Sequence, residues 1–129
     1  MIQQVTNSKL TLNFEFNLGI VTFDVEKNLT LTKFASDAAT KVDCIEKLKQ
    51  DVPLRHKNCI SGLGHTRWAT CGGKTDENAH PHTDMKERIA LIHNGTLDHV
   101  EDMRKDLMSK GVKLKSETDT EVSYFFYFL

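Results

Sequence analysis

Proline occurs only twice in the 129 residues, tryptophan once and cysteine three times. No apolar run approaches the roughly 20 residues that cross a bilayer, so no membrane span is expected. The opening MIQQVTNSKL has no cationic start followed by an apolar stretch, so a secretory signal is not expected. No basic block occurs and the formal charge is -1, so a nucleic-acid surface is not expected either. Gly62-x-Gly64 and Gly72-Gly73 lack the further glycine and the Gly-Lys-Ser/Thr of a phosphate loop. Cys44, Cys59 and Cys71 are odd in number and lack metal-ligand spacing. Reduced thiols in a cytoplasmic protein are the simplest reading of that set. Internal repeats, low-complexity segments and an interdomain linker are all absent.

What is present suits one domain with one core: 39% apolar and 27% charged residues. Polar and apolar residues alternate over 9–15, with Leu10, Leu12, Phe14 and Phe16 on one face of a half-buried strand. A second strand over 18–23, a polar turn over 24–28 and alternation over 29–33 predict a β-hairpin. Helical spacing follows over 37–50, with Ser36 or Asp37 as cap and Val52-Pro53 as stop. Residues 54–58 read as a polar connection and 59–67 as a strand. Residues 71–83, rich in Gly, Asp and Asn, read as loop. A short apolar run over 88–93 predicts a buried strand ending at the turn signal Asn94-Gly95. A second helix is expected over 98–110, with Leu97, Val100, Met103 and Leu107 inward and Gly111 as C-terminal cap. Residues 112–115 are a further strand candidate. The pattern is mixed α and β.

Residues 62–82 concentrate the unusual side chains: the one Trp, four of the seven Gly and three of the six His. Arg67 follows an apolar strand, and its guanidinium fork is suited to holding a carboxylate, with a surface ion pair as the ordinary alternative. Asn94-Gly95 offers an amide and a backbone N–H that can aim two donors at one developing negative charge. The alternative is a hairpin turn. Asp119 can bind an ammonium group, or Thr118-x-x-Glu121 can form a capping box at a helix start. His65, His80, His82 and His93 can ligate a metal, or serve as hydrogen-bonded and loop histidines. No metal spacing accompanies them, and none is expected. Cys71 is the thiol best placed for reactivity, with Arg67 and His65 near it in sequence. Cys44 and Cys59 read as structural.

Four runs in order then carry a resemblance: His65-Thr66-Arg67-Trp68-Ala69-Thr70, Asn78-Ala79-His80-Pro81-His82, His93-Asn94-Gly95 and Ser116-Glu117-Thr118-Asp119-Thr120-Glu121. Together they resemble the glutaminase domain of the glucosamine-6-phosphate synthase family, the glutamine–fructose-6-phosphate aminotransferases. The resemblance is firm over 62–122. Amidophosphoribosyltransferase resembles the chain only through the Arg and the Asn-Gly. The family implies an α+β fold, here a partial N-terminal-nucleophile αββα sandwich, and no cofactor. It also implies a reaction in which an N-terminal Cys attacks the glutamine side-chain amide, forms a thioester and releases ammonia. By resemblance, Asn94 and Gly95 form the oxyanion hole, Arg67 grips the glutamine α-carboxylate with Thr70 nearby, and Asp119 binds the α-amino group. Trp68 then lines the ammonia route to a sugar-isomerase domain, and the full-length form is a homo-oligomer in amino-sugar metabolism.

The departures are specific. Residue 2 is Ile2, and no Cys precedes Cys44. Of the family's run ending at Gly19, only the Gly remains, and Cys71 stands where the family commonly has His. Half of the ten aromatics fall in Tyr124-Phe125-Phe126-Tyr127-Phe128. The expectation is therefore an incomplete glutamine amidotransferase domain over 1–129, cut inside an element at its end. The alternative is a catalytically dead glutamine-binding or regulatory domain. On either reading the chain alone is expected to hydrolyse glutamine poorly or not at all.

Overall fold

The computed structural model describes residues 17–36, 43–68 and 72–128, with side chains through Phe125. The strand expected over 9–15, the first part of the helix expected over 37–50, Thr70 and Cys71 lie outside the described residues.

Strands β1 (Asn17–Asp24) and β2 (Leu29–Ala35) form the expected antiparallel hairpin. Its turn is closed by Asp24, whose carboxylate accepts from the Glu26 and Asn28 backbone N–H groups, each at 2.9 Å, and from Asn28 Nδ2. Strand β3 (Cys59–Arg67), where a strand was expected, pairs antiparallel with β1, giving the order β2-β1-β3.

The two faces of this sheet do different work. Thr22 and Thr32 point to helix α1 (Cys44–Arg55). His56, just past the helix, contacts Thr22 Oγ1 through Nδ1 at 2.8 Å and Thr32 Oγ1 through Nε2 at 2.9 Å. Two expectations for this helix are corrected. Its described cap is Asp43, which accepts from Ile45 N, rather than Ser36 or Asp37. Pro53 does not stop it. Arg55 holds the last turn by donating to Thr32 Oγ1, Asp51 Oδ2 and Leu31 O, and His56 N donates to Val52 O. Tertiary bonds thus offset the hydrogen bond that proline removes.

On the opposite face stand Asn17, Gly19 and Val21, beside their β3 partners Arg67, His65 and Leu63. The loop 72–81 covers this face. A Cβ on Gly19 would run into the His80 carbonyl oxygen, so the loop approaches to a distance that only glycine permits. Gly19→Ala is expected to cost about 2–3 kcal/mol, read as a lower urea midpoint. Gly64→Ala, whose Cβ meets only Gly19 O at 3.9 Å, is the tolerated control. Equal midpoints would refute the close packing.

Beyond the loop come β4 (His82–Thr83) and β5 (Ala90–Leu91), an antiparallel pair. The buried strand expected over 88–93 is thus two residues long and half-buried. Asp84 stops further pairing, because its carboxylate folds the chain back onto Arg88 N, Arg88 Nε and Ile89 N. Helices α2 (Val100–Ser109) and α3 (Asp119–Phe128) pack on each other, and α3 also contacts β4. Gly111 ends α2 as expected: at φ 82° it donates to Met108 O, while Val112 N reaches Leu107 O. Leu107, Val112, Val122, Tyr124 and Phe125 form the buried core there, with Val100 and Met103 packed against it.

Residues 112–115 are not a strand. Their end is taken by Glu121, whose carboxylate accepts from Lys115 N and Ser116 N. The described elements stack as α1, three-stranded sheet, loop with β4-β5, then α2-α3. This is an α+β architecture, as expected.

Candidate functional site

Three loop segments are locked together beside the C-terminal half of β3. Asn78, 1% exposed, is the central tie. Its Nδ2 donates to Gly73 O and to Glu117 Oε2, both at 2.9 Å, and its Oδ1 accepts from Glu117 N at 2.8 Å. Glu117 Oε2 also accepts from Gly73 N. That bond, with the one from Asn78, holds the Glu117 carboxyl below the usual range. Asn17 Nδ2 ties the same loop to β1 through Thr75 O. His82 Nε2 lies 2.9 Å from Thr118 Oγ1.

At the start of α3, the capping reading of Thr118-x-x-Glu121 is realised in extended form. Thr118 Oγ1 accepts from Glu121 N, and the buried Glu121 carboxylate reaches back to Lys115 N, Ser116 N and Ser116 Oγ. Arg104 clamps the segment from α2 by donating to Ser116 O and Thr118 O. Asp119 is thereby fixed as the first helical residue. One of its oxygens accepts from Leu97 N at 3.0 Å and the other from Thr120 Oγ1 at 3.4 Å.

These ties shape a cavity of about 410 Å³ lined by His65, Arg67, Trp68, His80, Asn94, Gly95, Asp119 and Thr120, among others. Five of the six residues singled out from the sequence therefore share one space. The sixth, Thr70, lies outside the described residues. Arg67 is 6% exposed at the end of β3 and donates to Gly73 O at 3.5 Å. Trp68 is 71% exposed beside it. Asn94 and Gly95 are exposed, and the hairpin-turn alternative fails because the next element after β5 is helix α2. A Cβ on Gly95 would lie 2.6 Å from His93 Nε2, so a side chain there would require the His93 ring to move.

The histidines pack as a column. His65 and His80 have ring centroids 4.7 Å apart, and His80 and His82 4.9 Å. Burial, reinforced by the neighbouring His65 and Arg67, lowers His80 to about 4. Burial and Lys33 lower His82 to about 2. Both are neutral at pH 7. The Nε2 atoms of His65 and His82 are directed to Asn94 and Thr118. Among the described residues no three His, Cys, Asp or Glu side chains gather as a metal would require. Cys44 is buried at the start of α1, where burial and then Asp43 push its thiol up. Cys59 is exposed at the far end of β3, against the structural reading. Neither lines the cavity.

The sequence reading missed Asn17 and Arg104 and gave Asn78 and Glu117 no structural part, whereas His82 is the buried, hydrogen-bonded histidine that one of its alternatives described. No local signal marks them, because Asn78 and Glu117 are 39 residues apart. Chemically, the cavity joins a buried guanidinium, a fixed carboxylate and an Asn-Gly donor pair.

A family model of the glutamine amidotransferase domain matches residues 27–128. Three relatives are each named glutamine–fructose-6-phosphate aminotransferase (isomerizing). That of Mycolicibacterium paratuberculosis is 38% identical over 105 residues, covering 81% of this chain and 16% of the relative. That of Streptomyces coelicolor is 55% identical over 84 residues, covering 65% and 13%. That of Aquifex aeolicus is 56% identical over 62 residues, covering 48% and 10%. The chain thus spans only a small part of the length of the curated relatives it matches. No described helix is long and apolar enough to cross a membrane.

Proposed function

The chain belongs to the glutamine amidotransferase domain family, and on that premise we propose that its cavity binds glutamine as the glutamine-hydrolysing part of a glutamine–fructose-6-phosphate aminotransferase. The observation that carries the reading is the meeting of Arg67, Asp119 and Asn94-Gly95 in one cavity of about 410 Å³. A free amino acid bears a carboxylate, an ammonium group and, in glutamine, a terminal amide. Arg67 takes the carboxylate with two parallel bonds. Asp119 takes the ammonium group. The Asn94 amide and the Gly95 N–H receive the amide oxygen and stabilise it better as it becomes an oxyanion. Holding both ends fixes the amide carbon for attack. Trp68 borders the exit for ammonia toward a sugar-isomerase domain, in a cytoplasmic homo-oligomer.

The attacking group in this reading is an N-terminal Cys thiolate. The second reading is that the 129-residue chain by itself binds glutamine without turning it over. Calorimetry and a glutaminase assay on the purified chain test both. Heat with glutamine, far weaker binding of 4-aminobutanamide (which lacks the carboxylate), and no glutamate released are the expected results. No heat with glutamine rejects the site. Turnover abolished by Cys71→Ala rejects the second reading and makes Cys71 the nucleophile.

A further inference from the structure

We infer that His65 is a positioning residue that locks the Asn94 side-chain amide with its NH2 group toward the cavity. The inference rests on the glutamine-site reading above and assigns a part to a residue that reading does not use. His65 Nε2 lies 2.8 Å from Asn94 Oδ1. An amide oxygen only accepts, so this contact is a bond only when Nε2 carries the proton. The other ring nitrogen decides whether it does. His65 Nδ1 is buried and has no partner among the described residues. A buried N–H without an acceptor is rarer and costlier than a bare lone pair. The ring therefore carries a proton on Nε2 and donates it to Asn94. With Oδ1 engaged, the Asn94 Nδ2 group is the end left to serve a ligand oxygen.

The rest of the column holds the donor in place. The His80 ring lies against His65 at 4.7 Å with a 39° tilt. His80 is fixed in turn by the close approach of its carbonyl to Gly19, and by the His82 ring on its other side. Burial keeps His80 neutral at pH 7, so its ring packs on His65 without adding a charge there. An unlocked Asn94 amide would rotate between presenting an oxygen and presenting an NH2 group. Only the second attracts the amide oxygen of glutamine, and later its oxyanion. The lock removes the unproductive orientation before the ligand arrives, which is the kind of preorganisation that donors to a developing charge require.

Calorimetry on the full chain tests this with two ligands. Glutamine uses Arg67, Asp119 and Asn94. Norvaline keeps the α-carboxylate and α-ammonium but has no amide, so it uses only the first two. His65→Leu is expected to weaken glutamine about tenfold and leave norvaline within about twofold, since one hydrogen bond's orientation is lost. His65→Gln, which can again donate to Asn94 Oδ1, is expected to restore most of the difference. Asn94→Ala sets the limit of the effect. Equal losses for both ligands in His65→Leu would make His65 a scaffold residue and overturn the proposal. An unchanged glutamine affinity in His65→Leu, beside a loss in Asn94→Ala, overturns it too. If the unmodified chain binds no glutamine, the site reading fails by itself. Nitrogen-15 NMR of the ligand-free imidazole then still decides the positioning: protonated Nε2 supports it and protonated Nδ1 refutes it.

Discussion

Arg67→Ala is expected to weaken glutamine binding by 100-fold or more, and Arg67→Lys by roughly tenfold, with both chains still folded. The larger figure follows from truncating one partner of a desolvated charge pair, which typically costs about 2–5 kcal/mol. Arg67 is only 6% exposed, so little water screens its attraction for a carboxylate. Lysine keeps the charge but not the planar fork, and a single ammonium makes one good bond where the guanidinium makes two. The ligand comparison isolates the cause. Arg67→Ala should bind glutamine about as weakly as the unmodified chain binds 4-aminobutanamide, because each pairing lacks the same contact. Calorimetry measures all of these affinities. If Arg67→Ala binds glutamine as the unmodified chain does, the carboxylate lies elsewhere and the orientation of the ligand must be reversed. Circular dichroism guards against a trivial loss, since Arg67 also donates to Gly73 O and so helps fasten the loop 72–82.

The second large effect is a loss of stability in mild acid. His80 and His82 have folded values of about 4 and about 2, below the ordinary 6.5. Between those values and 6.5 the unfolded chain binds more protons than the folded one. Stability is therefore full above pH 6.5 and falls as the pH drops through that window. Each histidine kept neutral contributes a slope of at most about 1.4 kcal/mol per pH unit. From pH 7 to pH 5 this amounts to about 1–2 kcal/mol for each. His56, lowered by burial and then by Arg55, acts in the same direction. Glu117 and Asp84, whose carboxyls are held low, begin to contribute only at still lower pH. Urea midpoints measured from pH 7 to pH 5 should show the decline, and His82→Gln should flatten it. A flat profile in the unmodified chain would mean that the imidazole column takes up protons while folded, and so is open to water.

Both expectations depend on one structural device. The run Asn78-Ala79-His80-Pro81-His82 is applied to the sheet face that carries Gly19, His65 and Arg67, and tied on its far side to Glu117 and Thr118. It fastens the Arg67 end of the site to the Asp119 end. That gives a run known at first only through resemblance a mechanical role. It also explains why the neutral state of its histidines bears on stability.

Much of the scaffold was legible in the chain itself. Alternation set β2, because a strand's faces depend on residues two apart, and β1 and β3 also lie where strands were expected. The apolar spacing and Gly111 set α2, because a helix and its end depend on residues three to five apart. The four ordered runs identified the family. The extent of the remaining elements was decided in three dimensions. Helix α1 passes Pro53 because Arg55 and His56 bond to β2 and β1. Residues 112–115 are not a strand because Glu121 occupies the N–H groups at their end. The site follows the same rule. Arg67, Asn94 and Asp119 each had an ordinary local explanation, and only folding brings them around one cavity. His65 is the clearest case. Its bond to Asn94 spans 29 residues, and the proton position that gives the bond meaning depends on a buried nitrogen without a partner. Local pattern reports what neighbours along the chain impose, whereas the pairing of distant donors and acceptors exists only once packing has excluded water.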